Sequence, residues 1–135
     1  MKSSKFLGTI LVVDGLLAVG FGAASWLSPY STFGTIVNLS EAAPTSLTLA
    51  TLSSLSTFYI LIGLVCLLAA GMPYPHNGRI AMVMIVRHVW VGIRGFQQID
   101  HDWLIGDPWP DIIIHGLFTL AYLVALFLAA RRTKT

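Results

Sequence analysis

Apolar residues form four long runs along the chain, over residues 6–27, 48–71, 79–97 and 111–130. Each run is close to the ~20 residues that an α-helix needs to cross ~30 Å of hydrocarbon. All 6 prolines lie between the runs, where the missing N–H group breaks no helical hydrogen bond. The pattern predicts an all-α fold, in which a single domain over residues 1–135 forms an integral membrane four-helix bundle.

Composition indicates lipid as the solvent of this chain. Hydrophobic residues make up 56% of the sequence and charged residues only 10%, whereas a soluble domain normally carries about 25% charged residues. Lys2 and Lys5 precede the first run as in a signal peptide, but the run is longer than a signal peptide requires and contains Asp14. We therefore expect a retained helix. The net charge of +2 is too small to indicate binding to nucleic acid.

The third run contains Arg87, His88 and Arg94, and each arginine adds roughly 2.5–3.5 kcal/mol to insertion at a helix centre. The distribution of charge nevertheless favours a crossing. The segments 28–47 and 98–110 contain no Lys or Arg, whereas both ends of the chain are basic. Cytoplasmic loops of membrane proteins are enriched in Lys and Arg, which is called the positive-inside rule. Four spans with both termini in the cytoplasm satisfy this rule. Three spans would place the basic C-terminal tail outside and break it.

Small residues form one surface of the first helix and include the spacing Ala18-x-x-x-Gly22. Such spacing lets two helix backbones approach closely. The surface fits either packing inside the bundle or a seam between two copies of the chain.

Ionisable residues at membrane depth are costly and often mark a site. At ~1.5 Å per residue, Asp14, Arg87 and Tyr122 lie ~12 Å from the predicted cytoplasmic side. By the same estimate, Arg94 and His115 lie ~22 Å from that side. We therefore expect two polar layers, the second of them nearer the outer face.

Helical periodicity of ~100° per residue gives these residues a common face. On the third helix one stripe contains Arg87, Trp90, Arg94, Gln98 and His101, and His88 points away from it. His88 is accordingly predicted to be a satisfied packing histidine and not a ligand. Asp14 and Arg87 have a simpler interpretation as a neutralising pair that holds two helices in register. The acidic and histidine residues around positions 100–102, 111 and 115 lack a recognised metal-ligand spacing, so no metal site is predicted.

The polar layers predict a site that opens toward the outer face and binds a small anionic, lipid head-group or quinone-like ligand. Its candidate residues are Arg94, His115, Gln98, Arg87, Asp14 and Tyr122. The alternative is an accessory or scaffold subunit without ligand chemistry of its own. No catalytic constellation names a reaction. Expected partners are the lipid bilayer, a lipophilic or anionic small molecule, and a membrane partner subunit or a second copy of the chain, but no nucleic acid.

The first helix carries Asp14-Gly15 and Gly20-Phe21-Gly22 before Pro29, and the third opens with Gly78-Arg79-Ile80. With the chain length and the four spans, these features resemble the DoxX-like group of small bacterial membrane proteins. The chain departs from that group in lacking a basic residue near the outer end of the first helix. The resemblance implies a multi-pass protein of the bacterial inner membrane. It permits a quinone as cofactor, because some members are associated with quinone-linked oxidation of sulfur compounds.

Overall fold

The computed structural model describes residues 5–33, 46–97, 99 and 109–132. Regular structure in this part of the chain is entirely helical, with four long helices and one short helix. The helices are α1 (Lys5–Leu27), α2 (Pro29–Phe33), α3 (Ser46–Ala70), α4 (His76–Gln97) and α5 (Trp109–Arg132). The long helices coincide with the predicted spans to within about three residues at each end. The prediction of an all-α helical bundle is confirmed.

Close backbone contact joins α1 to α3. A Cβ atom added to Gly63 would lie 2.6 Å from the carbonyl oxygen of Gly15, and one added to Gly22 would lie 2.8 Å from the carbonyl oxygen of Ser56. These two contacts also show that the helices run antiparallel. The small-residue surface of α1 therefore packs against α3. It serves packing inside the bundle and is not a seam between two copies of the chain.

Helix α4 packs mainly on α5 and runs antiparallel to it. A Cβ atom at Gly78 would lie 3.4 Å from Leu126 near one end of the pair, and one at Gly95 would lie 2.7 Å from Ile112 near the other. Gly78 and Gly95 are 17 positions apart, or ~26 Å along a helix axis. The two helices thus lie side by side over nearly the whole thickness of a hydrocarbon core.

Three helical segments are long and apolar enough to cross a membrane, namely Lys5–Leu27, Leu49–Ala70 and Trp109–Arg131. These three make the chain a multi-pass membrane protein. Helix α4 is less apolar because it carries Arg79, Arg87 and Arg94. Since α4 accompanies α5 along its length, we expect it to cross the membrane as well.

The largest apolar core cluster lies in the half of the bundle that contains Lys5, called here the Lys5 end. Leu7, Leu11, Cys66 and Ala125 are fully buried in it. Large apolar side chains are exposed on the outer faces of all four long helices, as expected where lipid covers the surface. The opposite end, where α4 ends and α5 begins, is called here the Trp109 end.

Candidate functional site

Asp14 is the centre of a polar cluster inside the bundle. It lies midway along α1 and is 3% exposed. Its Oδ2 atom accepts a hydrogen bond from the Tyr122 hydroxyl at 2.8 Å and lies 2.9 Å from Nε2 of His88. Its Oδ1 atom is 3.6 Å from Nη1 of Arg87. Three side chains from two other helices thus surround one carboxylate, which is the arrangement that a charge at membrane depth requires.

The cluster continues from His88 toward the Trp109 end. The Nδ1 atoms of His88 and His115 are 2.6 Å apart. One turn earlier on α5, Asp111 places Oδ1 3.4 Å from Nε2 of His115. An unbroken series of polar contacts therefore runs through the bundle, from Asp111 through His115 and His88 to Asp14. With Arg87 and Tyr122, these four residues are called here the polar cluster.

Aromatic rings hold the cluster in position. The His88 ring stacks on Phe118, with centroids 5.0 Å apart and planes inclined by 7°. The guanidinium of Arg87 lies 5.7 Å from the ring centroid of Tyr59 on α3, within the range of a cation–π contact. The Thr119 hydroxyl donates to the backbone carbonyl of His115 at 2.9 Å. Each of the four long helices thus contributes to the shape of the site.

Some buried polar atoms in the described part of the chain have no hydrogen-bond partner. They are Nη1 of Arg87, Oγ of Ser25 and both amide atoms of Asn77. An unsatisfied buried donor costs ~1–3 kcal/mol, and more when the group is charged. Arg87 therefore differs from the other members of the polar cluster, because part of its hydrogen-bonding capacity is unused.

The first predicted layer is present in the structure. Asp14, Arg87 and Tyr122 come from three helices and meet at one level, as the rise per residue indicates. Their estimated depths alone placed them together. His115 joins the same cluster through His88 and does not form a separate site with Arg94.

The predicted arrangement of α4 requires correction. His88 is buried and fully partnered, as a satisfied packing histidine should be, but it points into the polar cluster, where it bridges Asp14 to His115. Arg94 is exposed and donates to Oε1 of Gln97 at 3.3 Å, and Trp90 is 64% exposed. The physical reason is that α4 turns its small and medium-sized face toward α5. The stripe that contains Arg87, Trp90 and Arg94 therefore lies at the edge of the contact between α4 and α5.

That buried face of α4 was visible in the sequence as Gly78, Ala81, Met84, His88 and Gly95. The intervals of three, three, four and seven residues are those of one helical face. Following the small residues would have found His88. Gln98 and the Asp100-His101-Asp102 group, also singled out from the sequence, lie outside the described residues.

Histidine and acidic side chains are common ligands of metal ions. Within the described ranges no three His, Cys, Asp or Glu side chains form a group that could hold a metal ion. Both ring nitrogens of His88 and of His115 already face other members of the polar cluster.

An apolar groove of about 370 Å³ lies between α1 and α5. Val13 and Leu17 line it from α1, and Ile114 and Phe118 from α5. Phe118 separates this groove from His88, on which it stacks. The groove is thus a neighbour of the polar cluster, without a polar wall of its own.

The fold and the polar cluster define the class of protein: a small multi-pass α-helical membrane protein with an ionisable cluster buried between its helices. Comparison with known proteins finds no matching family model, curated protein or solved structure.

Proposed function

We propose that the protein binds a small molecule that presents acceptor oxygen atoms to Arg87 within the membrane. The observation that carries this proposal is the buried Nη1 atom of Arg87, which has no hydrogen-bond partner among the described residues. A guanidinium offers five N–H donors in a planar fork that matches carboxylate, phosphate or carbonyl oxygens. The proposed ligand is accordingly anionic, a lipid head group or a quinone-like carbonyl compound.

The surroundings of Arg87 favour a ligand that enters from the lipid. Its side chain is 16% exposed although its Nη1 atom is buried, so a rotation of the guanidinium would bring Nη1 to a ligand oxygen. It lies against Tyr59 of α3, and α3 packs on α4 far less extensively than it packs on α1. A lipophilic molecule could approach between α3 and α4 and place an oxygen at Arg87, with Tyr59 beside it.

Charge also favours an acceptor at this position. Oδ1 of Asp14 is too far from Nη1 of Arg87, at 3.6 Å, for a hydrogen bond. The carboxylate therefore compensates the charge of Arg87 without using that donor. A ligand oxygen at hydrogen-bond distance would gain a charge-assisted bond worth roughly 1.5–3 kcal/mol.

The scaffold function is supported by a different observation. Asp14 receives hydrogen bonds or ionic contact from Arg87, His88 and Tyr122, so it needs no ligand to be satisfied. On this alternative the polar cluster fixes the register of α1, α4 and α5. The protein would then serve as an accessory subunit of a membrane complex.

We extend the proposal to membership of the DoxX-like group and to a bacterial inner membrane. Its support is the chain length, the four long helices and the motifs around Asp14-Gly15 and Gly78-Arg79. Within that group a quinone is the ligand of first interest, because its two carbonyl oxygens are acceptors on an apolar body.

The test uses mass spectrometry of small molecules that co-purify in mild detergent with the wild type, Arg87→Lys and Arg94→Lys. Lysine keeps the charge and loses the fork. Arg94 is the matched control, because it is an exposed arginine on the same helix. We expect the wild type and Arg94→Lys to carry the same molecule and Arg87→Lys to lose it, with unchanged helical content and elution volume.

The identity of the co-purified molecule separates the quinone, lipid and anion alternatives. Loss of the molecule in Arg94→Lys alone would return the site to Arg94, as the sequence had suggested. A wild-type protein without any specific molecule, after reconstitution with quinone or anionic lipid, would favour the scaffold function.

A further inference from the structure

Two histidine rings meet nitrogen to nitrogen inside the bundle. The Nδ1 atoms of His88 and His115 are 2.6 Å apart, a distance at which one proton must lie between them. The other nitrogen of each ring faces a carboxylate: Nε2 of His88 is 2.9 Å from Asp14, and Nε2 of His115 is 3.4 Å from Asp111. Two imidazoles thus have three polar contacts: the two shorter ones are hydrogen bonds that each take one N–H, and the third is an ionic contact with Asp111, which favours a proton on His115.

Counting these protons gives the charge of the pair. A neutral imidazole carries one N–H, so two neutral rings supply two protons. The contact with Asp14 uses one, the contact between the rings uses a second and the ionic contact with Asp111 favours a third. With both carboxylates ionised, the third proton makes the two rings together a single imidazolium. Two such rings with only two protons would leave the ionic contact with Asp111 unmade.

The charged groups around the pair agree with this count. Asp14 on α1 and Asp111 on α5 contribute two negative charges, and Arg87 on α4 contributes one positive charge. One shared imidazolium makes the total zero: Arg87 offsets the buried carboxylate of Asp14, and the imidazolium offsets the exposed carboxylate of Asp111. The other titratable groups in or near the polar cluster are neutral in their ordinary forms: Tyr122 on α5 lies beside His88, Tyr59 on α3 lies beside Arg87, and Cys66 on α3 lies in the adjoining core.

We propose that His88 and His115 form a proton-binding site that stores one proton and exchanges it with the solution at the Trp109 end. In one state the shared proton is bonded to Nδ1 of His88, and His115 is neutral. In the other, that N–H bond is broken with its electron pair left on His88, and a new N–H bond forms on Nδ1 of His115. The positive charge then lies on His115.

Asp111 provides the exit from this site. Its side chain is 64% exposed, whereas that of Asp14 is 5% exposed, so the series of contacts leads from the surface to the interior. When His115 is the cation, its Nε2–H proton passes to Oδ1 of Asp111, leaving a neutral ring and a neutral carboxyl group. The carboxyl group then releases the proton to water. Uptake follows the same steps in reverse.

Proton storage goes beyond the proposed binding of a ligand at Arg87 and does not depend on it. The test is nitrogen NMR of the protein labelled with ¹⁵N-histidine and reconstituted in lipid nanodiscs at pH 7. We expect three of the four ring nitrogens of His88 and His115 to be protonated, with a scalar coupling across the Nδ1–H–Nδ1 contact. His76→Gln, which changes an exposed histidine, should leave these signals unchanged, and His115→Gln should remove the coupling.

A second variant tests the exit. Asp111→Asn removes an exposed carboxylate that stabilises the shared imidazolium, so the number of protonated ring nitrogens on the pair at pH 7 should fall from three toward two. Only two protonated nitrogens on the pair at pH 7, or no coupling between the rings in folded wild-type protein, would overturn the proposal of proton storage. Three fully protonated ring nitrogens at pH 7 in Asp111→Asn would overturn the route through Asp111. Neither result depends on whether a small molecule co-purifies.

Discussion

Replacing Tyr122 with phenylalanine removes one hydrogen-bond donor from Asp14 and leaves the packing of the ring in place. The Tyr122 side chain is fully buried, and its hydroxyl donates to Oδ2 of Asp14 at 2.8 Å. A hydrogen bond to a charged group is worth about 1.5–3 kcal/mol. Hydrogen bonds between membrane helices have measured values nearer 0.6 kcal/mol, with a maximum of about 1.7 kcal/mol.

The structure favours a hydrogen-bond energy near the region where these two ranges overlap. After the substitution, Asp14 still has His88 at 2.9 Å and Arg87 at 3.6 Å, so its charge is not left unpaired. For that reason the loss should fall well below the roughly 3–5 kcal/mol expected when a buried pair is broken. We expect Tyr122→Phe to lower the free energy of unfolding by about 1–2 kcal/mol.

Reversible unfolding in bicelles, followed by steric trapping, measures this difference. Tyr59→Phe is the matched control: Tyr59 lies on α3, its ring contacts Phe21 and Arg87, and phenylalanine keeps that ring. Its effect should stay within about 0.5 kcal/mol. In an Asp14→Asn background the cost of Tyr122→Phe should shrink, because the charged acceptor is gone. Equal losses for the two tyrosine variants would refute the bond between Tyr122 and Asp14.

The remaining predictions concern topology and packing. In a background without the native cysteine, cysteines at Ser3 and Thr133 should react with reagents from the cytoplasmic side and a cysteine at Ile105 from the outer side; termini on opposite sides would end the four-span arrangement. Gly63→Ala should destabilise the bundle by roughly 1–3 kcal/mol, because its Cβ atom would meet a backbone oxygen at 2.6 Å. Gly20→Ala, with open space around it, should be neutral or stabilising by up to about 1 kcal/mol; equal effects in the same unfolding assay would contradict the close α1–α3 contact.

Helix positions could be predicted from the sequence because membrane thickness fixes the length of an apolar helix. The third span was expected over residues 79–97 and is found as His76–Gln97. The common level of Asp14, Arg87 and Tyr122 could also be predicted, because rise per residue is a constant of the helix. These inferences use only distance along an axis, which the sequence determines directly.

Rotation about the axis of α4 could not be predicted in the same way. Periodicity gives the angle between His88 and Arg94 but does not say which of them faces the bundle. That choice depends on how closely α5 can approach, which the small residues Gly78, Ala81 and Gly95 permit on one face only. Long side chains such as Arg94 can reach the membrane surface from the edge of a helix, so their polarity does not require a buried position.

Orientation of α4 also explains how its arginines would be tolerated if this helix crosses the membrane, as expected. Arg79 and Arg94 are exposed and lie close to the two ends of the helix, where long side chains can reach the head groups. Arg87 is central, and its insertion alone would cost roughly 2.5–3.5 kcal/mol. Asp14 offsets that cost, since it is the buried carboxylate at the same level.

Asp14 lies on α1, which precedes α4 in the chain, whereas His115 and Tyr122 lie on α5, which follows it. When α4 is synthesised, its acidic partner Asp14 is therefore already present. Tyr122, which binds Asp14, and His115, which completes the histidine pair, arrive only with α5. A bundle that lacks α5 would hold His88 with one ring nitrogen unpaired at membrane depth. Because an unpaired polar group is costly there, the polar cluster makes stable insertion of α4 depend on both α1 and α5.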